Sequence, residues 1–121
     1  MTDTDRLFHI TTADEARQAG SLYAPQAFHA EGFIHCSYLR QVCPVANRRF
    51  SGRTNLVLLE IDRGRLSIPV VDENLEGGAE LFPHVYGRLP MAAVTRIHEF
   101  PCGADGRFAL PGTLAIPSAS C

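Results

Sequence analysis

Short apolar runs, interrupted by glycine, proline and charged residues, dominate the chain and predict a sheet-rich fold. Apolar alternation or continuity predicts strands over residues 7–11, 33–37, 55–62, 66–72, 94–101 and 108–110. The stretch from Leu56 through Leu59 is apolar at every position, which is typical of a central strand covered on both faces. Pro69 lacks a backbone donor, so its strand is expected at an edge or an end of a sheet.

Helical signals are confined to the N-terminal half. The T-x-x-E spacing of Thr12 and Glu15 has the form of a capping box and predicts a short helix that stops at Gly20. An apolar stripe at helical spacing predicts a second helix over residues 38–50, with Pro44 as the first residue of its main part. Residues 21–32 and the acidic, glycine-containing residues 73–80 are predicted to be loops.

Together these elements predict one α+β domain with two main helices in its N-terminal half. A chain of 121 residues is the size of a single domain. Its core is expected over residues 6–110, and residues 111–121 are expected to form a C-terminal arm.

Charge and composition narrow the function classes. A net charge of −2 gives no general attraction to nucleic acid or to an anionic membrane. All 11 basic residues are arginines, which excludes lysine Schiff-base chemistry. No secretory signal and no membrane-spanning run are visible, so we expect a cytoplasmic protein whose four cysteines are free thiols.

Three segments place a histidine two residues before a hydroxyl side chain. On an extended segment these two positions share a face, so each segment presents an imidazole beside a hydroxyl. Both groups can donate and accept hydrogen bonds, and three such pairs indicate a polar cleft. The pairs are His9 with Thr11, His35 with Ser37, and His84 with Tyr86.

Two carboxylates, two other histidines and a metal-site alternative also have to be considered. Glu73 and Glu80 flank the predicted glycine loop, and a carboxylate there could stabilise a developing positive charge. His29 and His98 lack a hydroxyl partner and are interpreted as structural. A metal site formed by the three paired histidines stays open as an alternative, although no metal-binding spacing supports it.

The motifs LFHIT, EGFIHCS, NLVLLEID and FPHVYGRLP, in this order, resemble the bacterial family known as domain of unknown function 952. Members usually carry a tryptophan in the first helix, and this chain has none. The family in turn resembles the ADP-ribosyltransferase fold, a split mixed β-structure around an NAD-binding cleft. The likeness is most visible with RNA 2′-phosphotransferases, which have an arginine where this chain has Phe8. That difference argues against RNA phosphotransfer.

The resemblance implies a cleft for NAD or a related nucleotide, with chemistry at the nicotinamide–ribose bond. His9, His35 and Glu73 are the candidate catalytic residues, and no metal is expected. The expected ligand contacts come from His9, Thr11, His35, Ser37, His84 and Tyr86. The alternatives are a non-catalytic module that binds a metabolite or protein and a divalent-metal hydrolase. The acceptor and the oligomeric state stay open.

Overall fold

Eight strands and three helices are formed in the computed structural model, which describes residues 4–75 and 77–114. The strands are β1 (Arg6–Thr12), β2 (Leu22–Tyr23), β3 (Ile34–His35), β4 (Leu56–Asp62), β5 (Val70–Glu73), β6 (Phe82–Val85), β7 (Leu89–Pro90) and β8 (Val94–Glu99). The helices are α1 (Ala13–Gln18), α2 (Phe28–Glu31) and α3 (Leu39–Arg49). Short 3₁₀ turns lie at Arg63–Arg65, Met91–Ala93 and Gly112–Leu114. The α+β class is therefore confirmed.

β4 lies between β1 and β8 in the first antiparallel sheet. Its pairing with β1 is continuous from Arg6 opposite Asp62 to Thr12 opposite Leu56. Residues 56–59 are all buried because apolar clusters cover both faces of this sheet. The sequence prediction of a covered central strand is confirmed.

A second antiparallel sheet has the order β3-β6-β5 and meets the first at a single point. Phe8 of β1 and Ser37, two residues after β3, exchange both backbone hydrogen bonds at 2.8 Å. β2 and β7 form a separate two-stranded ribbon. Within the part of the chain that the structure describes, two three-stranded sheets are thus joined by one bridge.

Capping interactions start both longer helices where the sequence predicts them. The Thr12 hydroxyl accepts a hydrogen bond from the Glu15 backbone N–H at 3.1 Å, which begins α1. The Gln41 side chain accepts from the Tyr38 backbone N–H at 3.0 Å and begins α3. Pro44 therefore lies inside α3 on its exposed side, and the prediction that it opens the main helix is wrong.

Several predicted boundaries also need correction. The predicted loop over residues 21–32 contains β2 and α2. The strand predicted over residues 66–72 starts only at Val70 and extends to Glu73, which was predicted as part of a loop. β5 lies at a sheet edge, and Pro69 precedes it. Residues 108–110 form no strand, since Phe108 packs its ring into the core instead. Of the predicted arm, residues 115–121 lie outside the described residues, whereas Leu114 is buried in the core.

Two further expectations concern thiols and membranes. Cys36 and Cys102 carry free thiols as expected, but Cys43 is disulfide-bonded, so the expectation is wrong for that residue. Among the described residues, no helix has the length and apolar character needed to cross a bilayer.

Candidate functional site

The cleft opens where β1 and β3 separate beyond the bridge between Phe8 and Ser37. One step past this bridge, the His9 side chain reaches across and its Nδ1 lies 2.6 Å from the His35 carbonyl oxygen. A carbonyl oxygen can only accept, so the Nδ1 of His9 carries the hydrogen. An imidazole therefore spans the gap between the two strands.

The other nitrogen of His9 is also engaged. Its Nε2 lies 2.8 Å from the Tyr23 phenol oxygen, so the phenol O–H donates to it when the ring is neutral. Burial of His9 lowers its pKa from 6.5 to about 4, which keeps the ring neutral near pH 7. Both nitrogens are therefore used within the protein, and the geometry gives His9 a positioning role rather than a direct hydrogen bond to a ligand.

The space beyond His9, called here the β1–β3 cleft, has a volume of about 290 Å³. All but one of the sequence-predicted site residues line it, and they come from four separate segments of the chain. These lining residues are His9, Thr11, His35, Ser37, Glu73 and His84. Tyr86 is not among them, but it contacts the cleft residues Glu73 and Phe33.

Glu73 connects the third histidine–hydroxyl pair to the cleft. His84 Nδ1 lies 2.9 Å from Glu73 Oε1, and the Tyr86 hydroxyl donates to the same oxygen. The hydrogen bond from Tyr86, followed by that from His84, lowers the pKa of Glu73 below its ordinary value. The same contact with Glu73 raises the pKa of Tyr86. The result is an ionised carboxylate at the cleft wall.

An aromatic wall stands beside this carboxylate. The Phe33 ring stacks on His84 with ring centroids 4.3 Å apart and contacts His35 edge-on at 4.8 Å. Phe33 is buried and lines the cleft. The two-residue alternation that pairs His35 with Ser37 also puts Phe33 on the same face, so Phe33 could have been predicted as a cleft residue from the sequence.

His35 has a carboxylate partner that the sequence did not suggest. Its Nε2 lies 3.1 Å from both carboxylate oxygens of Glu31, on α2. The His35 side chain is 37% exposed, so it can reach a ligand in the cleft. A histidine held by a carboxylate can accept a proton and have the resulting charge stabilised.

Tyr23 and Glu15 also belong to the site and were missed. Tyr23 lies in a segment predicted as a loop, and no motif marks it as a partner of His9. Glu15 was interpreted only as part of a helix cap. In the structure, its side chain lines the cleft and its Oε2 lies 3.4 Å from the Thr11 hydroxyl.

The remaining candidates lie elsewhere or have structural roles. Glu80 is exposed and contacts Gln41 rather than the cleft. Buried His98 bonds Glu60 at 2.7 Å and Thr113 at 2.5 Å. No group of three or more histidine, cysteine or carboxylate side chains within the described ranges could hold a metal ion. Because both His9 nitrogens are engaged, the three-histidine metal hypothesis gains no support.

Comparison with known proteins gives a family and a fold relative. The family model described as "Protein of unknown function (DUF952)" matches residues 8–97. The crystal structure of protein CC0527 from Caulobacter crescentus is 32% identical, with a TM-score of 0.78 over 92% of this chain and 99% of that chain. The solution NMR structure of CC0527 is 33% identical, with a TM-score of 0.72 over 85% of this chain and 90% of that chain. No curated protein matches this chain.

Proposed function

This chain belongs to the DUF952 family, and we propose that it binds NAD or a related nucleotide in the β1–β3 cleft and breaks the nicotinamide–ribose bond. One observation carries the proposal. Glu73 is held as an ionised carboxylate by two donors in a cleft that also presents an aromatic wall and a half-exposed histidine.

The sheet arrangement supports an ADP-ribosyltransferase-like fold for this cleft. Among the described residues, the two three-stranded sheets share only the bridge between Phe8 and Ser37. Beyond the bridge their strands diverge, and the imidazole of His9 occupies the gap. A split sheet around a cleft is the architecture that the sequence resemblance implies.

The proposed reaction follows from the charges that it creates. When the glycosidic bond breaks, its electron pair leaves with the nicotinamide nitrogen and positive charge develops at the ribose anomeric carbon. A fixed carboxylate stabilises such a cation more in the transition state than in the ground state. Glu73 is the residue proposed for this role, because its two hydrogen bonds fix both its position and its charge.

The second half of the reaction needs an acceptor and a base. A water molecule or an acceptor hydroxyl attacks the anomeric carbon and gives up a proton. His35 is proposed to take that proton, with the Glu31 carboxylate stabilising the imidazolium that forms. His9 is proposed to position the cleft, since its nitrogens are engaged by His35 and Tyr23.

Calorimetric titration with NAD and ADP-ribose, followed by an assay for released nicotinamide, tests the proposal. We expect binding of both nucleotides and slow release of nicotinamide from NAD. Glu73→Gln should reduce release by about 100-fold, because it removes the charge opposite the developing cation. Glu80→Gln, outside the cleft, is the matched control and should change nothing. No heat with either nucleotide, from folded protein, would refute the proposal.

A non-catalytic binding module on the same cleft is the second candidate. It is favoured by the engagement of two candidate catalytic side chains within the protein, since two donors occupy one oxygen of Glu73 and both nitrogens of His9 are hydrogen-bonded. Tight binding of NAD without any release of nicotinamide, unchanged in Glu73→Gln, would select this function over the first.

A further inference from the structure

Glu15 carries a polar atom that the protein itself does not satisfy. Its Oε1 is buried and has no hydrogen-bond partner, the one such side-chain atom within residues 4–75 and 77–114. A buried acceptor without a donor is destabilising, and native proteins keep few of them. Because Glu15 lines the β1–β3 cleft, this atom belongs to the wall of the proposed site.

A count of donors shows that the hydrogen-bonded set to which Glu15 belongs cannot supply the missing hydrogen. His9 gives its Nδ1 hydrogen to the His35 carbonyl, and the Tyr23 phenol gives its hydrogen to His9 Nε2. The Thr11 hydroxyl has a single hydrogen and two acceptors in reach, the Tyr23 oxygen and Glu15 Oε2. This connected set therefore has more acceptors than donors, and the shortage falls on Glu15.

We propose that Glu15 recognises the ligand of the cleft by accepting a hydrogen bond from one of its neutral donor groups, a sugar hydroxyl or an amide N–H. This inference rests on the proposed function and deepens it, since NAD carries both kinds of donor around the bond to be broken. The terminal torsion of a glutamate is soft, so its carboxylate can turn Oε1 from its buried position toward the cleft.

Calorimetric titration with ADP-ribose and, separately, with nicotinamide tests the inference and distinguishes the two donors. ADP-ribose presents ribose hydroxyls without the carboxamide, and nicotinamide presents the carboxamide alone. In Glu15→Leu, the affinity for the probe that carries the recognised donor should fall at least tenfold. Glu15→Gln keeps one acceptor oxygen and should retain more affinity than the leucine variant. Asp14→Asn, on the exposed side of the same helix, is the matched control and should bind like the wild type.

Thermal unfolding of the unliganded variants separates recognition from a structural role. Because Oε1 of Glu15 is buried without a donor in the free protein, and the Thr11 hydroxyl that contacts Oε2 has Tyr23 as a second acceptor, Glu15→Leu should unfold at the wild-type temperature or above it. A lower unfolding temperature, or wild-type affinity of Glu15→Leu for both probes, would overturn the inference while leaving the proposed function intact. Failure of the wild type to bind NAD, ADP-ribose and nicotinamide would overturn both.

Discussion

The imidazole of His9 donates to the backbone carbonyl of His35 across 2.6 Å, immediately beyond the point where β1 and β3 part. In a regular ladder the His35 carbonyl would accept from a backbone N–H of the neighbouring strand, but here it accepts from the side chain of His9. His9 therefore fills the space between the two strands and supplies the missing donor. His9 and His35 both line the cleft, so His9 stabilises the fold and also shapes the site.

His9→Ala is expected to destabilise the protein by about 2 to 4 kcal/mol, because it removes the donor to the His35 carbonyl and the acceptor of the Tyr23 hydroxyl and leaves a cavity. Urea unfolding followed by circular dichroism measures this loss. His29→Ala is the matched control, since His29 is exposed, and should cost less than about 0.5 kcal/mol. Equal stabilities of the two variants would show that the contact between β1 and β3 contributes nothing.

Stability should fall as the pH is lowered, and His9 should account for a defined part of the loss. Its pKa is about 4 in the folded protein against 6.5 in the unfolded chain. Between these values the unfolded chain binds the extra proton, so protonation favours unfolding, and the stabilisation present above pH 6.5 is lost progressively toward pH 4. From pH 7 to pH 5 this group should remove about 2 kcal/mol of stability.

Urea unfolding at pH 7 and pH 5 measures that loss, and His9→Gln isolates it, because a glutamine has no proton to bind in this range. The difference in stability between the two pH values should shrink by about 2 kcal/mol in the variant. An NMR titration supplies the second check, in which the ring resonances of His9 should not shift above pH 5. A His9 resonance with a midpoint near pH 6.5 would contradict the assigned burial.

The three longest strands, β1, β4 and β8, and the first helix could be predicted from the sequence because local signals specify them. Continuous apolar residues mark β4, and the T-x-x-E pattern marks the start of α1. β2 and α2 could not be predicted. β2 consists of two residues that pair with the distant β7, and α2 is a single helical turn after Pro25 with no periodic apolar pattern. Tertiary contacts decide such short elements, and a single sequence does not reveal them.

The residues of the candidate site likewise divide into those that local patterns reveal and those that only tertiary contacts bring in. Alternation within a strand correctly grouped His9 with Thr11 and His35 with Ser37, since both pairs line the cleft. The partners that set the chemistry of the histidines come from other segments. The Tyr23 phenol hydrogen-bonds Nε2 of His9, and the Glu31 carboxylate lies within hydrogen-bond distance of Nε2 of His35. A predicted loop gave no reason to assign either role.

Cys36 should be unreactive in the native protein even though it lines the cleft. Its thiol is only 4% exposed, and burial raises its pKa to about 12, so almost no thiolate is present at pH 8. Labelling with a disulfide reagent at pH 8 should therefore be the same in the native wild type and in Cys36→Ser. In guanidinium chloride the wild type should label one more thiol than the variant. If the native wild type instead labels one thiol more than native Cys36→Ser, the side chain of Cys36 is accessible.

Tyr86→Phe should raise the pKa of Glu73, because the Tyr86 hydroxyl is the strongest of the interactions that lower it. A ¹³C NMR titration of the side-chain carboxyl of Glu73 measures this directly. The pKa rises because the lost donor stabilises the ionised carboxylate more than the protonated carboxyl, while His84 continues to donate. If the proposed chemistry is correct, release of nicotinamide should also decline in this variant at a pH near the new pKa, because a larger fraction of Glu73 is protonated there.

Tyr38→Phe is the matched control for this experiment. Tyr38 donates an equivalent hydrogen bond to Asp72, the neighbour of Glu73 on β5, at 2.5 Å, and it receives one from Arg63 at 2.9 Å. Removing that hydroxyl deletes a tyrosine–carboxylate contact from the same strand without touching the Glu73 carboxylate. The pKa of Glu73 should therefore stay at its wild-type value in Tyr38→Phe. Equal shifts in both variants would mean that Glu73 responds to the general packing of β5, and the specific role of Tyr86 would have to be abandoned.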